Sequence, residues 1–193
     1  MELDQNYWQH KYLEESTPWD IGYTSPPLKD FIDGLDDQNI RILIPGAGRA
    51  YEAIYLHRKG FNQVFVCDWV DEAFDHLRAE APDYPEHQLL CGDFFELGGE
   101  YDMILEQTFF CAISPSLRGS YVSKAANLLR KGGSLAGLLF ASQFEKAGPP
   151  FGGTENEYRN LFSEKFEVIT MDMAKNSILP RSKNELFVKL IKK

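Results

Sequence analysis

Three short stretches set small or acidic residues directly behind aliphatic runs, a spacing suited to holding an adenosine. The first is IRILIPGAGRAYEA, residues 40–53, where the aliphatic run stops at Pro45 and passes through Gly46 and Gly48 into helix-friendly sequence. Glycines behind a strand permit a tight turn and let main chain approach a ligand. The second is VFVCD, closed by Asp68. A carboxylate there can accept hydrogen bonds from both hydroxyls of a ribose, or it can cap the helix that follows. The third is LLCGDFF, where Asp93 can accept from an adenine amino group and Phe94 offers the ring an apolar face. A turn would use the same aspartate. The dinucleotide pattern G-x-G-x-x-G fails because its third glycine would fall at Tyr51, and no Gly-Lys-Ser/Thr follows to make a phosphate loop.

Other residues could act on a substrate. Glu106 follows the fourth apolar run, where it could accept a proton or orient a water. Arg118 in SPSLR and Arg181 in LPRSKNE could stabilise an anionic nucleophile, or be ordinary surface charges. Cys111 has no adjoining base to activate it. His10, His57, His76 and His87 are scattered and lack metal-ligand spacing. Trp8, Tyr12 and Trp19 stand near the N-terminus, and Phe109 with Phe110 behind the fourth run. These aromatics could pack in a core or wall in a desolvated cation.

The elements that must position these groups are legible as alternation. Strands are expected at 40–45, 63–68, 87–91, 101–105, 134–140, 166–173 and 185–192. Several are continuous apolar runs, as in a parallel sheet covered on both faces. Helices are expected at 4–14, 49–59, 71–80 and 116–130, the last ending at Lys131-Gly132-Gly133. This is βαβ spacing. The link AKNSILPRSKN is too short for a covering helix, so the last two strands should form an antiparallel hairpin. TPWDIGYTSPP reads as a loop held by Pro18, Pro26 and Pro27, and residues 1–38 as a lid or cap on the sheet.

The chain of 193 residues suits one domain, and its net charge of −9 with no internal basic cluster speaks against nucleic acid as a partner. No apolar run approaches the roughly 20 residues of a membrane span, and no leader pattern is present, so the cytoplasm is the expected compartment. The three cysteines, Cys67, Cys91 and Cys111, lie in apolar stretches and are expected to be buried thiols.

The spacing of PGAG, Asp68, GDFF and LLRKGG is similar to that of class I S-adenosylmethionine-dependent methyltransferases. A narrower resemblance covers nearly the whole chain. Trp8, TPWDIG, PGAG, GDFF, YDMILEQTFFCAISPSLRGSY, LLRKGG and GPPF resemble the thiopurine S-methyltransferase family, with its thiol and halide branch. The resemblance implies a Rossmann-like α/β fold: a mostly parallel seven-stranded sheet with a C-terminal antiparallel hairpin and an N-terminal helical lid. It implies S-adenosylmethionine as cofactor, enclosed by Trp8, Tyr12 and Trp19 and contacted by Gly46 and Gly48. Asp68 would take the ribose, Asp93 with Phe94 the adenine, and Gln107 the methionine end. Glu106 and Arg118 are the candidate catalytic residues. Gln107 departs from the Tyr or Arg of relatives, and Ala47 and Ala50 from their Cys and Gly. The implied reaction moves a methyl group to a small soft nucleophile, a thiol first, with halide and chalcogen acceptors in the same class. A non-catalytic cofactor-binding protein is the alternative.

Overall fold

The computed structural model describes residues 3–144 and 148–193; Met1 and Glu2 of the expected lid segment lie outside the described residues. Strands β1 (Ile42–Pro45), β2 (Val64–Asp68), β3 (Leu89–Cys91), β4 (Tyr101–Gln107), β5 (Leu129–Phe140), β6 (Phe166–Met173) and β7 (Glu185–Lys192) form one sheet in the order β3-β2-β1-β4-β5-β7-β6. The first five are parallel, and β7 runs antiparallel to both β5 and β6. All seven expected strands are present, with the expected terminal hairpin.

Alternation across the pleat explains why these strands are apolar throughout. Leu43 and Ile104 pack on one face with Tyr121, Phe162 and Phe166, while Ile42, Ile44, Met103 and Leu105 pack on the other with Leu28, Ala53 and Phe74. Helices α3 (Tyr51–Arg58) and α4 (Asp75–Glu80) follow β1 and β2, and α5 (Arg118–Leu128) precedes β5. The expected helix at 71–80 opens as a 3₁₀ turn, Asp71–Phe74, before becoming α4. Strand β5 begins five residues earlier than expected, at Leu129 opposite Tyr101. The Lys131-Gly132-Gly133 turn survives inside it as a bulge, with Gly132 at φ +74°.

Two helices escaped the sequence reading. Pro26 and Pro27 do not hold a loop but open helix α2 (Pro26–Asp33), since the first helical turn needs no proline N–H. Helix α6 (Glu155–Ser163) is fixed by a capping box: Thr154 accepts from the Glu157 N–H while the Glu157 carboxylate accepts from the Thr154 N–H. The expected N-terminal helix is present as α1 (Gln5–Leu13), with the Asp4 side chain accepting from the Tyr7 N–H at 2.8 Å. Cys67 and Cys111 are buried as expected, but Cys91 is exposed because β3 is a three-residue edge strand. Among the described residues no helix is long and apolar enough to cross a membrane.

The Thr154 cap holds a helix that buries Tyr158 and Phe162. Thr154→Ala is therefore expected to cost about 1 kcal/mol in urea unfolding, and Phe162→Ala about 3–5 kcal/mol.

Candidate active site

Strand order reverses between β1 and β4, and the loops leaving their carboxyl ends diverge there to open a crevice. It holds a cavity of about 630 Å³, within the roughly 300–1,000 Å³ of small-molecule sites. The two ends of the cavity differ. Over β1, β2 and β3 it is lined by Gly46, Asp68, Trp69, Asp93, Phe94 and Phe95. Over β4, β5 and β7 it is lined by Phe109, Cys111, Ala112, Ile113, Phe140 and Arg181, with Pro149, Pro150 and Phe151 alongside. Both carboxylates thus sit at one end, and the other is mostly apolar, with Thr108, Ser114 and Arg181 as its polar residues.

At the acidic end, Asp68 Oδ2 accepts from the Gly48 N–H at 3.3 Å and from the Tyr12 hydroxyl at 3.5 Å, and Oδ1 accepts from the Val70 N–H at 3.2 Å. Burial pushes the Asp68 carboxyl up to about 6, against the pull of these donors. Asp93 Oδ1 accepts from the Phe95 N–H at 2.8 Å, capping the 3₁₀ turn Phe94–Glu96. Phe94 stacks on Tyr121 with centroids 5.4 Å apart and meets Phe109 edge-on at 5.2 Å. Gly46 has φ +56°, and a Cβ placed on it would lie 2.4 Å from the Phe109 ring, so no side chain fits.

Helix α1 walls the cavity rather than filling the core, for none of its nine residues is buried. Gln5 Nε2 donates to the Trp69 carbonyl and Gln9 Nε2 to Glu72, both at 2.8 Å, docking α1 across the end of β2. Trp19 meets Trp8 and Tyr12 edge-on, with centroids at 5.6 and 6.1 Å. From the β6–β7 connection, Arg181 Nη2 donates to the Trp19 carbonyl at 2.7 Å, and Nη1 to Glu185 at 3.4 Å.

Neither Glu106 nor Arg118, the candidate catalytic residues, lines the cavity. Glu106 is 0% exposed. Its Oε1 accepts from the N–H groups of Phe109 and Phe110 at 2.9 and 2.8 Å, and its Oε2 from the Tyr121 hydroxyl at 2.8 Å. It holds a turn. Arg118 donates to the carbonyls of Phe151 and Gly152 and lies over the Phe110 ring. Phe109 faces the cavity while Phe110 is core. Cys111 lines the cavity, yet its thiol donates to the Thr108 carbonyl and burial pushes it up to about 12.

Gln107 lies off the main cavity, in a neighbouring recess of about 40 Å³ that it shares with Trp19, Asp20, Gly46, Gly48 and Glu52. Its Oε1 is buried without a partner among the described residues. Trp69, Phe140 and Phe151 escaped the sequence reading as lining residues. The signal for Trp69 was its place immediately after Asp68, and for Phe151 its place in GPPF.

The family model for thiopurine S-methyltransferase (TPMT) matches residues 3–191. The chain belongs to the thiopurine S-methyltransferase family. It is 28% identical over 182 residues to the probable thiol methyltransferase 2 of Arabidopsis thaliana, covering 90% of this chain and 79% of that protein. It is 26% identical over 178 residues to the thiopurine S-methyltransferase of Aliivibrio salmonicida, covering 83% and 84%. Against thiocyanate methyltransferase 1 of Arabidopsis thaliana the identity is 26% over 157 residues, covering 77% and 67%. Among solved structures, the Burkholderia thailandensis 1,6-didemethyltoxoflavin-N1-methyltransferase, solved with S-adenosylhomocysteine and 1,6-didemethyltoxoflavin, superposes with a TM-score of 0.77 at 18% identity. The superposition covers 99% of this chain and 88% of that one, and it shows the Rossmann-like methyltransferase fold. This thiopurine S-methyltransferase family member is an S-adenosylmethionine-dependent methyltransferase.

Within that fold, burial raises the Glu106 carboxyl from 4.5 to about 7. The folded value lies above the unfolded one, so protonation favours the fold below about pH 4.5, and that advantage is lost as pH rises through about 7. Glu106→Gln removes the titration. Relative to the native chain, the variant is expected to gain on the order of 2–3 kcal/mol between about pH 5 and about pH 8, read by urea unfolding at both.

Proposed function

We propose that the chain carries a methyl group from S-adenosylmethionine to a small thiol, with the donor over β1–β3 and the acceptor over β4, β5 and β7. The observation that carries this reading is the division of the cavity: two carboxylates at one end, an apolar chamber with one buried arginine at the other.

The residues present fit the donor. Asp68 faces the cavity as an acceptor for ribose hydroxyls, and Asp93 with Phe94 suits the adenine amino group and ring. The unpartnered Gln107 Oε1, beside buried Glu52, offers an ammonium group an acceptor it otherwise lacks. The aromatic faces of Trp8, Tyr12 and Trp19 suit a sulfonium removed from water. The cofactor supplies an activated methyl on that sulfonium. The protein's own work is alignment and exclusion of water: α1 and Trp19 cover the donor, and the apolar chamber holds the acceptor close.

A thiol reacts as its thiolate, and an unperturbed thiol has a pKa near ~8.5. Arg181, 8% exposed and facing the chamber, favours the anion. The thiol, thiopurine and thiocyanate relatives support a sulfur acceptor; halides and other chalcogen anions suit the same apolar, arginine-bearing chamber. A small-molecule acceptor rather than nucleic acid accords with the net charge of −9. Three free cysteines suit a reducing compartment such as the cytoplasm.

The test is donor binding by calorimetry joined to methyl transfer on sulfide and simple organic thiols. Asp68→Ala is expected to weaken donor binding by roughly 10- to 100-fold. In the native chain the ribose hydroxyls favour the ionised carboxylate, so affinity should fall as pH drops below about 6. Asp68→Asn should bind weakly at every pH. Donor affinity indifferent to residue 68, or tight donor binding without turnover on any thiol, halide or chalcogen acceptor, overturns the reading. Arg181→Met should move the acidic limb of kcat for the thiol to higher pH.

A further inference from the structure

We propose that Arg118 sets the size of acceptor the enzyme takes, as a positioning residue that never reaches the cavity. The proposal rests on the reading of the β4–β5–β7 end as the acceptor chamber.

Two walls of that chamber meet at this guanidinium. One is the segment 148–153, which presents Pro149, Pro150 and Phe151 to the cavity. The other is the loop behind β4, which presents Phe109, Cys111 and Ala112. Arg118 Nη2 donates to the Phe151 carbonyl at 3.0 Å and Nη1 to the Gly152 carbonyl at 3.1 Å. Its Cζ lies 4.7 Å from the ring centroid of Phe110, the core residue between the lining residues of the second wall. One side chain therefore fixes the backbone of the first wall against the base of the second. The walls are also tied directly, the Phe151 N–H donating to the Cys111 carbonyl at 2.7 Å.

The first wall cannot slide to compensate. A Cβ on Gly152 would lie 1.5 Å from the Ser142 carbonyl oxygen, and one on Gly153 would lie 2.5 Å from the Tyr158 hydroxyl, so the backbone behind Phe151 is pressed against its neighbours. Arg118 also stacks near Tyr158, whose hydroxyl donates to the Phe140 carbonyl at 2.7 Å, and Phe140 is a further lining residue. The task suits arginine: a planar fork that bridges two successive carbonyls while its guanidinium lies over an aromatic ring. Lysine offers a point charge that serves one carbonyl and does not stack in plane. Among the described residues the Arg118 Nε is buried without a partner, so the two carbonyls and the ring govern its placement. Asp68, the last residue of β2, and Asp93, behind β3, stand across β1 from this joint, and Arg118 touches neither.

The experiment measures Arg118→Lys with a series of thiols from hydrogen sulfide through short alkyl thiols to aryl thiols, with donor Kd measured in parallel. The expected result is a donor Kd within about twofold of the native chain, and a fall of roughly tenfold in the preference for the small thiols over the bulky ones. The change should lie in acceptor KM rather than kcat. Phe151→Ala, which removes the wall itself, should shift the preference in the same direction, and the double variant should add little beyond it. Should Arg118→Lys lose its cooperative melt, Arg118→Gln, whose amide reaches one carbonyl, takes its place. A uniform loss across all thiols, or independent multiplication of the two effects, overturns the proposal and leaves the methyltransferase reading intact. Failure of the native chain to bind donor overturns that reading instead.

Discussion

The ring of Phe109 lies where a side chain on residue 46 would have to be, and the site depends on that contact. Strands β1 and β4 are neighbours whose onward chains leave in opposite directions, so the crevice between them would be set by two independent loops. Seating the ring on a glycine at φ +56° makes the loops one body. The buried Glu106 carboxylate makes the contact durable, for it takes the N–H groups of Phe109 and Phe110 and the hydroxyl of Tyr121 at once. Thr108, between Glu106 and Phe109, is held at φ +61°, a conformation that a β-branched residue adopts only under outside constraint. Gly137 of β5 completes the arrangement: a Cβ there would lie 2.4 Å from that of Glu106. A carboxylate that the sequence offers as a proton acceptor thus holds the turn behind β4, with two backbone N–H groups and a tyrosine hydroxyl as its partners.

Arg118 and Arg181 illustrate the same economy with opposite outcomes. Both are cations behind Pro or Ser-Pro sequence, and either could have faced the acceptor. Arg118 turns inward to two carbonyls and an aromatic ring. Arg181 reaches the chamber and ties the β6–β7 connection to the Trp19 backbone, 162 residues away in sequence. The covering segment is thereby anchored at both ends of the cavity, by Gln5 and Gln9 over β2 and by Arg181 over β7. The aromatic cover is held by polar contacts at its edges and by the edge-on packing of Trp19 against Trp8 and Tyr12, all three of which line the cavity.

Local patterning determined the α/β class, the seven strands, the terminal hairpin and the positions of Gly46, Asp68, Asp93 and Phe94, because strand ends and the turns behind them are written in adjacent residues. The run of motifs carried the family. Helix α2 was misread because a proline pair serves a loop and a helix start equally well until the following residues find a surface to pack on. Tertiary structure alone decided which way a side chain behind a strand points. Glu106 and Gln107 are adjacent, yet the pleat sends one into the core beneath Tyr121 and the other into a polar recess. It also decided that Phe109 faces the cavity while Phe110 lies in the core, and that residues 8, 19, 151 and 181 share one cavity. Such proximity is made by sheet order and by contacts far apart along the chain, which no window of sequence contains.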